Sequence, residues 1–294
     1  MDYYVKIKRE LISNEINRRV KNYSINKSDL NAYFKVGKIL SEAGKHYGEG
    51  IIKEYSKRLT KELGKGYSKR NLWLMVRYYE FNEKVQTVSA QLTWSHYIEL
   101  LPIDNINEVN YYVQLSIKNN LSVRQLKERI KSKEYERLPE YTRNKLKFNN
   151  KASIKDLIKN PILIKNSNNY DEISEKLLQK IILENLPSFM KELGEGFCFI
   201  DNEYSIKLGQ TYNYIDLLLF NIKYNCYVVV ELKVTELKKE HIGQIEVYMN
   251  YIDNNLRLPT QDKTIGIIIC KQDNKYVIKY CSDSRIISRE YKLI

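Results

Sequence analysis

Two strongly apolar segments carry charged residues at positions where a buried strand should have none. Residues 214–220 read Tyr-Ile-Asp-Leu-Leu-Leu-Phe, and residues 226–234 read Cys-Tyr-Val-Val-Val-Glu-Leu-Lys-Val. Near-continuous apolar strands predict a sheet that helices cover on both faces. Placing Asp216, Glu231 and Lys233 inside such strands costs free energy unless another group pairs with them or ligates them.

The segments around these two strands have the periodicity of an α/β domain. Helical patterns are interspersed with strand-like runs, which predicts a mixed sheet in a C-terminal domain over residues 171–294. The predicted helices cover residues 172–193 and 239–253, and the predicted strands cover residues 197–200, 204–208, 214–220, 226–234, 264–270 and 276–281.

The first half of the chain has helical periodicity and predicts an all-α domain over residues 1–135. A predicted helix over residues 51–63 ends at two glycines, and Ser68 stands where it can cap a second helix over residues 69–81. Two helices joined by a tight turn describe a helix-turn-helix. The polar, irregular stretch 136–170 is predicted as the linker to the C-terminal domain.

Three residues open the second helix of this helix-turn-helix pattern and are candidates for contacting DNA. Lys69, Arg70 and Asn71 would be the first exposed residues of the recognition helix, from which side chains reach phosphates or base edges. A solvated helix face has the same pattern, so both interpretations stay open at this point.

The charge of the chain is unevenly distributed. Its net charge is +13, with 29 Lys+Arg against 17 Asp+Glu in residues 1–150 and 20 against 19 in residues 151–294. An excess of positive charge in one half favours a polyanionic partner for that half. Compositional drift in an AT-rich genome would raise the Lys content throughout, and it does not predict this asymmetry.

Several function classes are excluded by the sequence. The longest apolar runs, 226–230 and 265–270, are far shorter than the roughly 20 residues that span a bilayer. The first residues lack the apolar stretch of a signal peptide, so a cytoplasmic protein without membrane contact is expected. No phosphate-binding loop, nucleophile elbow or dinucleotide fingerprint occurs, so no organic cofactor is expected. The cysteines never form CxxC and the histidines lack ligand spacing, which argues against zinc.

The charged residues of the two apolar strands can form a reactive centre. Strand alternation puts Glu231 and Lys233 on one face, and a short turn at residues 222–225 would bring Asp216 alongside them. Two carboxylates and the carbonyl of Leu232 are the hard oxygen ligands that Mg²⁺ or Mn²⁺ prefers. Such an ion polarises a phosphate and acidifies water, and Lys233 would offset charge on the phosphate during hydrolysis. A salt bridge at a sheet end is the alternative.

Several segments resemble the YhcG-like family of two-domain proteins within the PD-(D/E)XK nuclease superfamily. In the second half they are Phe189-Met-Lys-Glu-Leu-Gly-Glu-Gly-Phe-Cys-Phe-Ile, Tyr214-Ile-Asp-Leu-Leu-Leu-Phe, Val228-Val-Val-Glu-Leu-Lys, Ile242-Gly-Gln-Ile-Glu-Val-Tyr and Thr264-Ile-Gly-Ile-Ile-Ile-Cys. In the first half they are Tyr67-Ser-Lys-Arg-Asn-Leu-Trp-Leu-Met and Gln91-Leu-Thr-Trp-Ser-His-Tyr-Ile-Glu-Leu-Leu.

The resemblance implies a restriction-endonuclease-like C-terminal domain and a helical, winged-helix-like DNA-binding N-terminal domain. It carries the metal-binding Asp and Glu of the superfamily onto Asp216 and Glu231, and its Lys onto Lys233. Gln244 and Tyr248 look like the Gln-x-x-x-Tyr element of RecB-like members. The alternative for this pair is a helix that packs its Tyr on the sheet and leaves its Gln at the rim.

The sequence departs from the superfamily pattern at one position of the first helix of this domain. The resemblance implies an acidic residue near position 179, where this chain has Gln179. The expected function is a divalent-metal-dependent DNA endonuclease, acting in restriction, mobile-element defence or repair. Gln179 favours the alternative, an inactive DNA-binding or assembly subunit that retains the fold. RNA is a further candidate substrate because phosphate attraction does not depend on the sugar, and a homodimer is left open.

Overall fold

The chain divides into two units, residues 1–135 and residues 136–294. The structure is a computed structural model, and it describes residues 2–19, 25–48, 50–84, 91–147 and 153–294. No helix within these ranges is long and apolar enough to cross a bilayer.

The elements described in the first unit are all helices. They are α1 (Tyr3–Arg19), α2 (Ile25–Tyr47), α3 (Gly50–Leu63), α4 (Lys69–Lys84), α5 (Trp94–Leu100), α6 (Ile106–Lys118) and α7 (Val123–Lys131). Buried side chains of α1 to α4 form its main core. The helices α2 and α4 pack so closely that a Cβ at Gly37 would lie 2.0 Å from the carbonyl oxygen of Met75.

The predicted helix-turn-helix is present as α3, a 3₁₀ turn over Lys65–Tyr67, and α4. Ser68 caps α4 as predicted, since its Oγ accepts a hydrogen bond from the amide of Asn71 at 3.3 Å. None of the described residues of this unit lies in a strand, so the wing implied by the resemblance is not found among them. The described chain after α4 resumes with the helix α5 instead.

The second unit is built around a six-stranded mixed sheet. Its strands are β1 (Ile162–Ile164), β2 (Phe197–Leu208), β3 (Thr211–Asn221), β4 (Cys226–Glu236), β5 (Asp262–Gln272) and β6 (Ile286–Leu293). They lie in the order β1-β6-β5-β4-β3-β2. The β2–β3 and β3–β4 pairs are antiparallel, and the other pairs are parallel.

Helices cover both faces of this sheet. The helices of the unit are α8 (Glu140–Lys147), α9 (Ile154–Leu157), α10 (Glu175–Glu184), α11 (Leu186–Leu193), α12 (Lys239–Asn255) and α13 (Lys275–Lys279). One apolar core lies between the sheet and α10 and α11, and the other lies between the sheet and α12. In β4, Val228 and Val230 belong to the first core and Val229 to the second, which explains why the strand is apolar at successive positions.

Two predicted boundaries differ from the structure for local reasons. The predicted helix over residues 172–193 is interrupted at Asn185, because Pro187 follows in the first turn of α11 and lacks the amide that would continue α10. The predicted strands at 197–200 and 204–208 are one strand, β2, with an irregularity between Phe199 and Asp201.

Two further predictions about this unit were wrong. Residues 276–281 are not a strand: Asn274 caps the short helix α13 there, and the last strand of the sheet is β6. The stretch 136–170 is not simply a linker, because it contributes α8, α9 and the edge strand β1, which pairs with β6. A strand of three residues is too short to give a periodic signal.

Candidate active site

The candidate site lies at a fork in the sheet between β3 and β4. These strands pair only from Leu217 opposite Val230 to Asn221 opposite Cys226. Beyond Leu217, β3 continues its pairing with β2, while β4 continues along β5. Asp216 and Glu231 are the first residues past the last β3–β4 pair, so they face each other where the strands separate.

Asp216 is fixed by contacts from both sides. Its Oδ2 accepts a hydrogen bond from the amide of Leu232 at 2.7 Å, and its carbonyl oxygen accepts one from Nε2 of Gln179 at 2.8 Å. The strand changes face at this residue, because Ile215 packs in the core under α12 while Leu217 packs in the opposite core. Burial raises the pKa of Asp216, and the Leu232 amide and Lys233 oppose that rise.

Glu231 carries an uncompensated buried carboxylate. Its residue is 2% exposed, and its Oε1 has no hydrogen-bond partner among the residues that the structure describes. The other oxygen, Oε2, lies 3.5 Å from Nζ of Lys233. Burial, together with the nearby Asp216 carboxylate, raises the pKa of Glu231 to about 8. An anion at this position is costly until a cation contacts its second oxygen.

Lys233 is held between two carboxylates. Its Nζ lies 3.5 Å from Oε2 of Glu231 and 3.5 Å from Oε2 of Glu175. Burial lowers the pKa of Lys233, but Glu231, Glu175 and Asp216 outweigh that effect and raise it above its ordinary value. Lys233 is therefore an ammonium group at neutral pH.

The helix α10 supplies two of these contacts. Glu175 and Gln179 are four residues apart and so share one face of the helix. Position 179 holds an amide that binds the backbone of Asp216, while the carboxylate of this helix enters the site one turn earlier, at Glu175. Glu175 lies one turn before the position where the resemblance implies an acidic residue, and its i, i+4 relation to Gln179 was a signal that could have found it.

The helix α12 brings Gln244, Tyr248 and His241 to the site. Nε2 of Gln244 donates a hydrogen bond to the Tyr248 hydroxyl at 3.0 Å. Burial raises the pKa of Tyr248, which also responds to the charges of Glu231, Lys233 and Asp216. His241 was not predicted here: its Nδ1 accepts the Lys238 amide at 3.1 Å, and burial followed by the Lys233 charge lowers its pKa.

The predicted DNA-contacting residues all lie at the start of α4 in the first unit. Lys69 and Arg70 are exposed. Asn71 is half-buried, and its side chain donates to the carbonyl of Gly66 at 2.8 Å. Its local role is therefore to hold the turn before α4, and contact with DNA stays a prediction for all three residues.

The donor set at the fork fits a hard divalent cation. No group of three or more His, Cys, Asp or Glu side chains with metal-holding geometry occurs in the described ranges. Asp216 and Glu231 nevertheless offer two carboxylates, one with an orphaned buried oxygen. The amide of Leu232 points into the fork, and the carbonyl of the same residue lies on that edge of the strand because both groups of a strand residue point the same way.

Family models match both halves of this chain. A family model described as the YhcG PDDEXK nuclease domain matches residues 155–293. The second unit is therefore a nuclease domain of the PD-(D/E)XK class. A second model, described as the DUF1016 N-terminal domain, matches residues 9–137. With both domains matched in this order, the chain belongs to the YhcG-like nuclease family.

One relative and two solved structures are similar to this chain as follows. The protein named "Putative nuclease YhcG" of Escherichia coli (strain K12) is 27% identical, and the match covers 86% of this chain and 78% of that protein. A repair endonuclease from Pyrococcus abyssi matches with 20% identity and a TM-score of 0.30, over 41% of this chain and 48% of that one. The EndoMS-dsDNA2 complex matches with 19% identity and a TM-score of 0.31, over 42% and 47%.

Proposed function

We propose that this chain is a divalent-metal-dependent endonuclease that hydrolyses phosphodiester bonds of DNA, with Mg²⁺ or Mn²⁺ as its ion. The orphaned carboxylate oxygen of Glu231, buried opposite Asp216 at the fork, carries the proposal. A purely structural salt bridge would leave Glu231 satisfied, whereas Lys233 reaches only one of its oxygens.

Each polar residue at the fork has a distinct role in this proposal. Asp216, Glu231 and the Leu232 carbonyl would hold the ion, which when bound polarises the scissile phosphate and acidifies water. Lys233 is an ammonium group, so it is suited to stabilising negative charge on the phosphate rather than to removing a proton. Glu175 positions Lys233 from its other side.

Two amide side chains position the reactive groups. Gln179 fixes the backbone at Asp216, which is a structural task that a carboxylate could not perform because it has no hydrogen to donate. Gln244 donates to the Tyr248 hydroxyl, which therefore keeps its own hydrogen for an acceptor such as a phosphate oxygen.

Binding of DNA involves the first unit in this proposal. Lys69 and Arg70 are exposed at the start of α4, the second helix of the helix-turn-helix. The charge excess of residues 1–150 supports a contact with phosphates.

The experiment compares wild type with Glu231→Ala and with Glu240→Ala, an exposed acidic residue of α12 that serves as the control. Supercoiled plasmid, single-stranded DNA and branched DNA are incubated with Mg²⁺, with Mn²⁺ and with EDTA. Cutting that needs the ion, survives in Glu240→Ala and disappears in Glu231→Ala is expected.

A second readout does not depend on turnover. Calorimetric titration with Mn²⁺ should show binding to wild type and Glu240→Ala, and a loss of at least about tenfold in affinity for Glu231→Ala. Absence of both cutting and ion binding in wild type, with DNA binding intact, would instead establish the inactive DNA-binding subunit.

A further inference from the structure

Beyond the fork, β2 and β3 continue as a two-stranded ribbon that ends at the turn after Leu208. One face of this ribbon is covered, because Ile206 and Ile215 are buried in the core under α12. The opposite face carries two large aromatic side chains, Tyr212 and Tyr214, whose residues are 58% and 57% exposed. The two tyrosines therefore lie on the same face of the ribbon, and more than half of each residue is exposed.

Tyr212 and Tyr214 form a row on β3 that leads directly to the candidate site. Tyr214 and Tyr212 precede Asp216 by two and four residues on β3, which corresponds to roughly 7 and 14 Å along an antiparallel strand. Ser205 is the partner of Tyr214 on β2, and its small side chain leaves the Tyr214 ring accessible.

A cation accompanies the rings. Lys207 is the cross-strand partner of Tyr212, and its Nζ lies 5.7 Å from the centroid of the Tyr212 ring. This face therefore offers two aromatic surfaces and one positive charge in a row. Single exposed apolar side chains are ordinary on protein surfaces, but two adjacent rings that lead to a reactive centre are a more specific arrangement.

The chemistry of this row fits unpaired nucleobases. Aromatic side chains bind single strands by stacking on successive bases, while nearby cations contact the backbone. Bases in a duplex already stack on each other, so exposed rings on a flat sheet face gain a stacking partner only where the duplex is open.

We propose that Tyr212, Tyr214 and Lys207 form a platform that binds an unpaired stretch of nucleic acid beside the fork. The platform makes single-stranded or branched nucleic acid the preferred substrate. This inference rests on the proposed nuclease function, since it takes the fork as the place of cleavage, but its first test measures binding alone.

The test uses the full chain and a matched pair of double variants. Tyr212→Ala with Tyr214→Ala removes the platform rings, and Tyr276→Ala with Tyr280→Ala removes two other exposed tyrosines, each 75% exposed, at α13. Fluorescence anisotropy in EDTA measures binding of oligothymidylate and oligouridylate of about 12 nucleotides, a length that single-strand sites cover, and of a duplex of equal length.

Loss of the platform rings should weaken single-strand binding by at least about tenfold, as expected for lost base stacking. Duplex binding should change less than about twofold, because duplex affinity depends on phosphate contacts. The α13 control should bind as wild type does, and changing Tyr212 and Tyr214 to Phe should retain binding because the rings remain. Lys207→Ala should lower the log–log salt slope for single strands by about 0.7. The relative loss for oligothymidylate and oligouridylate shows whether DNA or RNA occupies the platform.

Different outcomes separate this inference from the proposed function. Unchanged single-strand binding in the Tyr212, Tyr214 variant, or equal losses for single strand and duplex, would overturn the platform. Glu231-dependent plasmid cutting could still be intact in that case. Conversely, a selective loss of single-strand binding would support the platform even if wild type cut no substrate. With an active wild type, the variant should lose its preference for branched over duplex DNA.

Discussion

Replacing Glu231 with Gln is expected to stabilise the metal-free protein and to remove its response to divalent ions. The substitution keeps the shape of the side chain and removes its ionisable carboxyl group. It therefore distinguishes the two interpretations of Glu231 and Lys233, a metal site and a structural salt bridge. In a metal site the carboxylate destabilises the metal-free protein, whereas in a salt bridge it contributes to stability.

The size of the effect follows from the pKa of Glu231. Burial and the Asp216 carboxylate raise that pKa from 4.5 to about 8. The folded protein then binds this proton more tightly than the unfolded chain, so the free energy of unfolding falls as the pH rises between these values. From pH 4.5 to pH 7 the loss is ~3 kcal/mol at ~1.4 kcal/mol per pKa unit. The new amide side chain would lack a full set of hydrogen-bond partners, which costs ~1 kcal/mol. The net gain in the free energy of unfolding at pH 7 is therefore about 2 kcal/mol.

Thermal unfolding at several pH values measures this gain. A unit of this size should show a rise in Tm of roughly 5 °C at pH 7, and the difference between variant and wild type should shrink towards pH 5. Addition of Mg²⁺ should raise the Tm of wild type and leave the variant unchanged, because only wild type binds the ion.

A matched control in the same unit, Glu192→Gln, is expected to lower stability where Glu231→Gln raises it. Glu192 is also mostly buried, with 13% of its side chain exposed, but it contacts Arg137 and lies 3.6 Å from Nζ of Lys159. Burial raises the pKa of Glu192, and the contacts with Arg137 and Lys159 outweigh this and lower it. Glu192→Gln should therefore destabilise the protein at neutral pH, with a smaller loss at acid pH. If Glu231→Gln behaved like Glu192→Gln, the reasoning about an ion at the fork would be refuted.

Three other perturbations test separate parts of the structure. Lys233→Met should lower the cleavage rate on the order of a hundredfold while Mn²⁺ still binds in calorimetry; loss of ion binding would show that Lys233 organises the carboxylates instead. Gly37→Ala should destabilise the first unit by about 2 kcal/mol or more, because its Cβ would meet backbone at 2.0 Å. Gly44→Ala, with nothing within 4 Å, should stabilise α2 by up to ~1 kcal/mol, and equal denaturation midpoints for the two variants would contradict this packing. Changing Lys69 and Arg70 to Ala should reduce the salt slope of duplex binding by about two, and an unchanged slope would show that another surface contacts DNA.

The central features of the second unit could be predicted because charged residues are easy to recognise in strands that are otherwise apolar and buried. Asp216, Glu231 and Lys233 stand in strands whose other residues are apolar, and the short turn between the strands fixed their pairing. The structure brings the three groups together at the fork, with Asp216 bonded to the Leu232 amide. Local sequence could predict this arrangement because a hairpin is a local contact.

Other parts of the site and sheet depend on contacts between distant segments. Glu175 meets Lys233 across 58 positions of the chain, so its role follows from how α10 packs and not from a motif. The strand β6 is polar over much of its length and is placed by its parallel partners β5 and β1. Its sequence alone has no alternation strong enough to distinguish it from a loop.

The fork also explains why the proposed reactive centre depends on the apolar core. The pair Leu217–Val230 is the last in the β3–β4 ladder, and both side chains are fully buried in the core next to α10 and α11. A slip of one residue in this register would put Leu232 opposite Asp216 and turn Glu231 to the other face. The ladder ends at the position where the Leu232 amide is left to bind the Asp216 carboxylate. Core packing of two apolar residues thus sets which oxygen atoms meet at the fork, and a change in that packing would alter the chemistry without touching a polar residue.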